Sequence, residues 1–205
     1  MNVSMIDKMG SDLTVVNAAR VSFGKKKTKF TKQDEKLIQY LARHNHWTPF
    51  GHCSIQFHIN APVFVARQLV KHQVGLVWNE VSRRYVDTEP EIYTPDEWRG
   101  RAEDKKQGSS GVVKMRSLEY EALTKTIVGA YNRLLKDGIC PEQARMILPQ
   151  SMMTEWYWSG TLMAFARVCN LRCKPDTQLE TQHIAKQIDE IMCDEFPVSW
   201  EALRS

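Results

Sequence analysis

The chain reads as an α+β fold, and three observations point there. Helix-like amphipathic segments outnumber strand-like ones, the strand-like segments carry no hairpin signal, and helices do not alternate regularly with strands as a doubly wound sheet requires. At 205 residues with no internal repeat, the chain suits one domain with a sizeable core.

Each element has its own warrant. Asp12–Phe23 begins as a helix and runs into a Gly-Lys loop. Lys32–His44 is a helix: Thr31 can cap it, acids occupy its first turn, and Ile38, Leu41 and Ala42 share a face. Asn45–Gly51 holds Pro49 and Gly51 and reads as a turn. In Cys53–Ile59, Cys53, Ile55, Phe57 and Ile59 alternate with Ser54, Gln56 and His58, the pattern of a strand with one buried face. Pro62 starts a helix running to about Gln73, which would put Gln68, Lys71 and His72 on one face before Gly75 breaks it. Val77–Asp87 is a loop or strand dense in polar groups, and Arg99–Gly111 has no apolar residue larger than Ala, so it reads as a flexible surface loop rather than a domain boundary.

In the second half, Ser117–Lys136 is a helix closed by Gly138, and Pro141 opens a short helix that ends before Pro149. Met153–Ser159 is a strand with Trp156 and Trp158 on one side. Thr161–Cys173 is a helix with Leu162, Phe165 and Cys169 on one stripe, and Thr177–Glu195 is the last long helix, with Ile184, Ile188, Ile191 and Met192 facing inward.

Composition narrows the function. Hydrophobic residues at 42% and charged residues at 25% exclude a wholly disordered or fibrous chain. The longest apolar stretch, Ala61–Ala66, is too short to span a bilayer, and the opening MNVSMIDKMG lacks the basic start and apolar core of a signal peptide. A soluble, cytoplasmic protein is expected. The net charge of +4 is a weak pull toward anionic partners; its one dense cluster is Lys25, Lys26, Lys27 and Lys29, read as a solvated loop. Five cysteines without a CxxC pair read as reduced thiols.

Three segments could carry chemistry. Arg67–Tyr85 packs Arg67, Lys71, Arg83 and Arg84 together with Gln68, His72, Gln73, Asn79, Glu80, Ser82 and Tyr85. Cations beside amides suit a phosphorylated, hydrogen-bonding ligand, although the same residues could be a solvated helix end. His44, His46, His52 and His58 do not join a carboxylate or Cys pattern at ligand spacing, so no metal site is read there. Arg172 and Arg145 are cations among apolar neighbours; with Arg84 they would suffice for a nucleotide's phosphate and base. GxGxxG, GxxxxGK[ST] and GxSxG are all absent, which disfavours a Rossmann site and a P-loop.

Taken together, these motifs resemble the flavin-dependent thymidylate synthases. That family's Arg-His-Arg triplet, Asn-Glu, Ser and Arg-Tyr correspond to Lys71-His72-Gln73, Asn79-Glu80, Ser82 and Arg84-Tyr85. AARVSF at Ala18–Phe23, HxTPFxH at His46–His52, APVFVARQ at Ala61–Gln68, ARxxLP at Ala144–Pro149 and NLR at Asn170–Arg172 recur in the same order and span most of the chain. Two arginines of the triplet are replaced, by Lys71 and Gln73, and the loop between His72 and Asn79 is one residue longer than the family's.

The resemblance implies an antiparallel sheet packed by helices, an enzyme that methylates dUMP to dTMP, and a homotetramer with active sites between subunits. Flavin adenine dinucleotide (FAD) would be the cofactor, with methylenetetrahydrofolate and NADPH as co-substrates. It implies flavin contacts from Ser22, His46, Thr48, Lys71, His72, Gln73 and Glu80; Arg167, where the chain departs from the family pattern, is expected to restore charge lost from the triplet. It implies dUMP contacts from Gln68, Lys71, Glu80, Ser82, Arg83, Arg84, Arg145 and Arg172, with Arg172 beside the uracil as the catalytic group. Three alternatives stand beside it: a related pyrimidine nucleotide modification, such as hydroxymethylation of dUMP or dCMP; the cysteine-dependent chemistry in which a thiol attacks uracil; and a non-enzymatic nucleic-acid-binding module built on Lys25–Lys29 and Arg83–Arg84.

Overall fold

The computed structural model describes residues 1–103, 108–114 and 117–205. Its centre is a four-stranded antiparallel sheet. Strand β1 (Asn2–Met9) lies on one edge, followed by β2 (Ser54–Pro62), β6 (Met153–Thr161) and β3 (Leu76–Glu80) on the other edge. The α+β class and antiparallel sheet agree with the sequence-based expectation.

The register explains the core. Phe57 pairs with Trp158 and Ile59 with Trp156, so the alternating apolar residues of the two central strands share one face. That face is covered by α6 (Leu162–Arg172) and α7 (Leu179–Glu195). Phe165 on α6 meets Phe57 and Trp158 edge-to-face, with centroids 5.0 and 5.2 Å apart. Ile184, Ile188 and Met192 on α7 are fully buried in the same core. Helices α1 (Asp12–Arg20), α2 (Lys32–Arg43) and α8 (Pro197–Arg204) close one side of it. Thr31 caps α2 as its sequence predicts, in a capping box with Asp34.

Four features depart from the sequence reading. Strand β1 was not anticipated, because only Val3 in it is buried. Helix α3 (Val63–Leu69) ends one turn early, so Gln68 lies on the helix while Lys71 and His72 belong to the turn after it. His72 N–H donates to Leu69 O at 3.0 Å, and Gly75, at φ +76°, turns the chain into β3. The stretch read as a loop at Arg99–Gly111 carries a small ribbon of β4 (Arg99–Arg101) and β5 (Ser109–Val112); its residues 104–107 lie outside the described ones. Finally, Pro197 opens a separate terminal helix, α8, after Phe196 interrupts α7. Helices α4 (Ser117–Lys136) and α5 (Pro141–Ala144) complete the fold, with Gly138 at φ +87° after α4. Among the described residues no helix is long and apolar enough to cross a membrane.

Candidate active site

Two segments of the expected flavin set converge on the N-terminal end of α6. Cys53, just after the 3-10 turn Thr48–His52, accepts the Leu162 N–H at 3.0 Å. Gly75, closing the turn that holds Lys71, His72 and Gln73, accepts the Thr161 N–H at 3.1 Å. The approach is tight: a β-carbon on Gly160 would lie 2.3 Å from Leu76 Cδ2 and 2.8 Å from Gly75 O. Thr161 in turn caps α6 by accepting the Ala164 N–H at 3.2 Å. His46, Thr48, Lys71 and Gln73 are all exposed there. Arg167, in the second turn of α6, lines a cavity of about 580 Å³ with Arg43, Asn45 and Met163, beside the His46 segment.

Ser22 sits apart, on the exposed 3-10 turn Val21–Phe23. Its flanks are anchored on buried Asp34. Arg20 Nη2 donates to Asp34 Oδ1 at 3.1 Å, Lys27 Nζ pairs with Oδ2, and Thr31 Oγ1 donates to Oδ2 at 2.7 Å. Burial alone would raise the Asp34 carboxyl, yet these donors hold it down at about 2.

The expected nucleotide residues fall into two neighbouring groups. Glu80, Arg83 and Arg145 share a cavity of about 370 Å³ with Arg67, which the sequence places in the polar window without assigning it a ligand contact. Glu80 is held there by Thr154 Oγ1 at 2.8 Å and by Trp78 Nε1 at 3.2 Å, Trp78 itself being stacked on Trp156 with centroids 4.4 Å apart. Ser82 Oγ accepts the Arg84 N–H at 3.3 Å and so shapes the loop between the two cations. The Arg84 side chain leaves the cavity, pairing with Glu142 at 2.8 Å and lying over the Tyr85 ring.

The second group joins Gln68, His72 and Arg172. Arg172 Nε donates to His72 Nε2 at 3.0 Å, and its Nη2 donates to Gln68 O at 3.2 Å. Arginine is donor only, so His72 Nε2 must be the unprotonated nitrogen and its proton sits on Nδ1. Burial, and secondarily the charge of Arg172, lowers the His72 pKa below 6.5, so the ring is neutral at pH 7. Gln68 Nε2 contacts Gln178 Oε1, Gln178 Nε2 donates to Glu180 Oε2 at 3.1 Å, and Glu180 Oε1 pairs with Arg99 at 2.6 Å. Sequence reading missed Gln178, Glu180 and Arg99, since nothing local marks a contact between residues 81 positions apart.

Outside these groups, Cys169, Cys173 and Asp189 form the one trio among the described residues whose ligand atoms all lie within 4.8 Å of one another. Asp189, however, already accepts from Trp200 Nε1 and Arg204 Nε, both at 2.8 Å. Of the four histidines in the sequence cluster, His44 and His46 lie beside the Tyr40 ring, with centroids 4.3 and 5.9 Å away, and His58 Nε2 meets Glu155 Oε2 at 2.9 Å.

The fold is thus an α+β architecture whose four-stranded antiparallel sheet stands beside a cation-rich candidate site. The profile of the thymidylate synthase complementing proteins matches residues 4–198. A flavin-dependent thymidylate synthase of Thermus thermophilus is 40% identical over 206 residues, covering 98% of this chain and 74% of its own length. One from Thermosipho africanus is 37% identical over 203 residues, covering 97% and 88%. Among solved structures, the UMP/dUMP methylase PolB from Streptomyces cacaoi, bound with 5-Br dUMP, superposes with a TM-score of 0.89 at 30% identity, covering 98% of this chain and 93% of its own. The chain belongs to the thymidylate synthase complementing protein family, and it is an enzyme.

Proposed function

We propose that the enzyme converts dUMP to dTMP by reductive methylation, with FAD as cofactor and methylenetetrahydrofolate and NADPH as co-substrates, and that it works in the cytoplasm. The observation carrying this reading is the cluster of Arg172, His72 and Gln68, linked through consecutive Arg67 and Gln68 of α3 to a cavity that Arg67, Glu80, Arg83 and Arg145 line. The likeness to relatives named flavin-dependent thymidylate synthases and to a UMP/dUMP methylase supports it.

The donor set fits a flavin dinucleotide: His46, Thr48, Lys71 and Gln73 offer exposed polar groups around one helix end, and Arg167 adds a cation beside them. Ser22, His72 and Glu80 complete the proposed flavin contacts. When bound, the flavin would carry the reducing equivalents of NADPH that convert the transferred one-carbon unit to a methyl group. The remaining chemistry belongs to the chain. Arg83 and Arg145, with Ser82 and the loop N–H groups, hold the nucleotide phosphate, and Lys71, Glu80 and Arg84 complete the nucleotide site. Arg172 stabilises negative charge developing on the uracil as it becomes a carbon nucleophile, so no protein thiol is needed. Neutral His72 and the Gln68 carbonyl keep the Arg172 guanidinium in place.

Arg84 is tied to Glu142 within one chain. In the proposed homotetramer a neighbouring subunit would complete each site.

The test is product analysis. Protein, FAD, methylenetetrahydrofolate and NADPH are incubated with dUMP, UMP or dCMP. The reading predicts dTMP from dUMP, with NADPH oxidation that depends on the nucleotide. A hydroxymethylated product, or turnover of dCMP alone, would replace it with the related pyrimidine modification.

A further inference from the structure

The relay behind Gln68 has a direction. Glu180 is buried, at 5% exposure, and its two oxygens meet Arg99 and Gln178. Burial acts to raise its carboxyl, but the hydrogen bonds from Arg99, the main chain and Gln178, with the Arg99 charge, together outweigh that and leave it lowered, so Glu180 is ionised and accepts only. Gln178 must therefore turn its NH2 toward Glu180 and its carbonyl oxygen toward Gln68. Gln68 must then turn its own NH2 toward Gln178. Its Oε1, an acceptor, is the end the relay leaves for a ligand.

Arg172 reaches the same residue, its Nη2 donating to the Gln68 main-chain oxygen, so an arginine donor and the amide acceptor are both presented at Gln68. A donor beside an acceptor is the complement of one edge of uracil, a carbonyl oxygen adjacent to N3–H. Cytosine presents an unprotonated N3, an acceptor, which would face another acceptor. A site with a fixed hydrogen-bonding group rejects a ligand that leaves it unpaired.

We propose that Glu180, acting through Gln178, fixes the amide orientation of Gln68 so that it accepts the N3–H of the pyrimidine, and that this selects uracil over cytosine nucleotides. Glu180 and Gln178 are positioning residues. The inference rests on the proposed reading that Gln68 and Arg172 contact the nucleotide.

The test titrates the flavin-loaded protein with dUMP and with dCMP, following the flavin absorbance change, in the parent and in Gln178→Met and Glu180→Gln. Gln178→Met removes the relay but keeps the Arg99–Glu180 pair; Glu180→Gln keeps the shape but lets the amides flip. The expected result is roughly tenfold weaker dUMP binding and a roughly tenfold smaller preference for dUMP over dCMP, with flavin content at the parent level. Should one variant fold poorly, the other reads the same ratio. If the variants weaken both nucleotides equally, or change neither, the relay has no part in selection and the inference is overturned. If the parent shows no response to dUMP, the underlying reading of the site has failed instead.

Discussion

Arg172 on α6 and His72 in the turn after α3 are a hundred positions apart in the chain, yet Arg172 Nε donates to His72 Nε2 at 3.0 Å. This bond ties the cation assigned to the uracil to the segment assigned to the flavin. Arg172→Ala removes the charge without touching the core, since Arg172 is only half-buried. Turnover is expected to fall by roughly 10² or more while bound flavin stays at the parent level. Near-normal turnover in Arg172→Ala would remove the residue from the chemistry.

The same bond has a pH dependence. The folded His72 pKa lies below 6.5, so between that value and 6.5 the folded state holds fewer protons than the unfolded state. Stability therefore rises with pH across that window and is flat above it. Protonated His72 cannot accept from Arg172, so nucleotide binding weakens as pH falls below the folded pKa. In His72→Asn the acid limb of the dUMP affinity profile is expected to disappear. A limb unchanged in that variant would assign it to another group.

Lys71 and Gln73 stand where the family has arginines, on an exposed turn with room for longer side chains. Restoring the triplet with Lys71→Arg and Gln73→Arg should tighten FAD about tenfold, as one added charge-assisted bond would. Arg167→Ala should loosen it. Flavin retained after desalting measures both; an Arg167→Ala protein that holds flavin like the parent would take Arg167 out of the flavin site.

Asp34 couples fold stability to acid. Its carboxyl lies at about 2 in the folded state against 3.8 unperturbed, because the Lys27, Thr31 and Arg20 donors outweigh its burial. A lowered carboxyl contributes stability that is full above about 4 and lost as pH falls through about 2. The shift corresponds to about 2 kcal/mol. The stability gap between the parent and Asp34→Asn should shrink by about that amount between pH 5 and pH 2, by chemical denaturation.

Cysteine reactivity should follow burial. Burial pushes the Cys53 thiol up to about 11, and Cys169 is raised by its hydrogen bond to Cys173 and by burial. Cys140 and Cys193 are exposed. Iodoacetamide at pH 8 should label Cys140 and Cys193 well before Cys53 or Cys169, read by peptide mass spectrometry.

Legibility in the sequence tracked how local each signal was. The alternation of Ile55, Phe57 and Ile59 revealed β2, and Thr31 with Asp34 revealed the start of α2, because each pattern is written within a few residues. Strand β1 escaped because it is an edge strand with Val3 alone buried, so its side chains do not alternate. The early end of α3 escaped because QLVKHQ contains no breaker; the chain leaves the helix to pair Leu76 with Gly160. Motifs marked Gln68 and Arg172 for the nucleotide and His72 for the flavin, but the relay through Gln178 and Glu180 to Arg99 exists only once α3, α7 and the β4–β5 ribbon have met.

The central claim is that this chain is a flavoenzyme acting on dUMP. Its most direct test is the visible absorption spectrum of the purified protein, supplied with FAD, desalted and then titrated with dUMP. A retained flavin spectrum that shifts on dUMP addition and saturates is the predicted result. A protein that keeps no flavin, or whose bound flavin ignores dUMP, would contradict it.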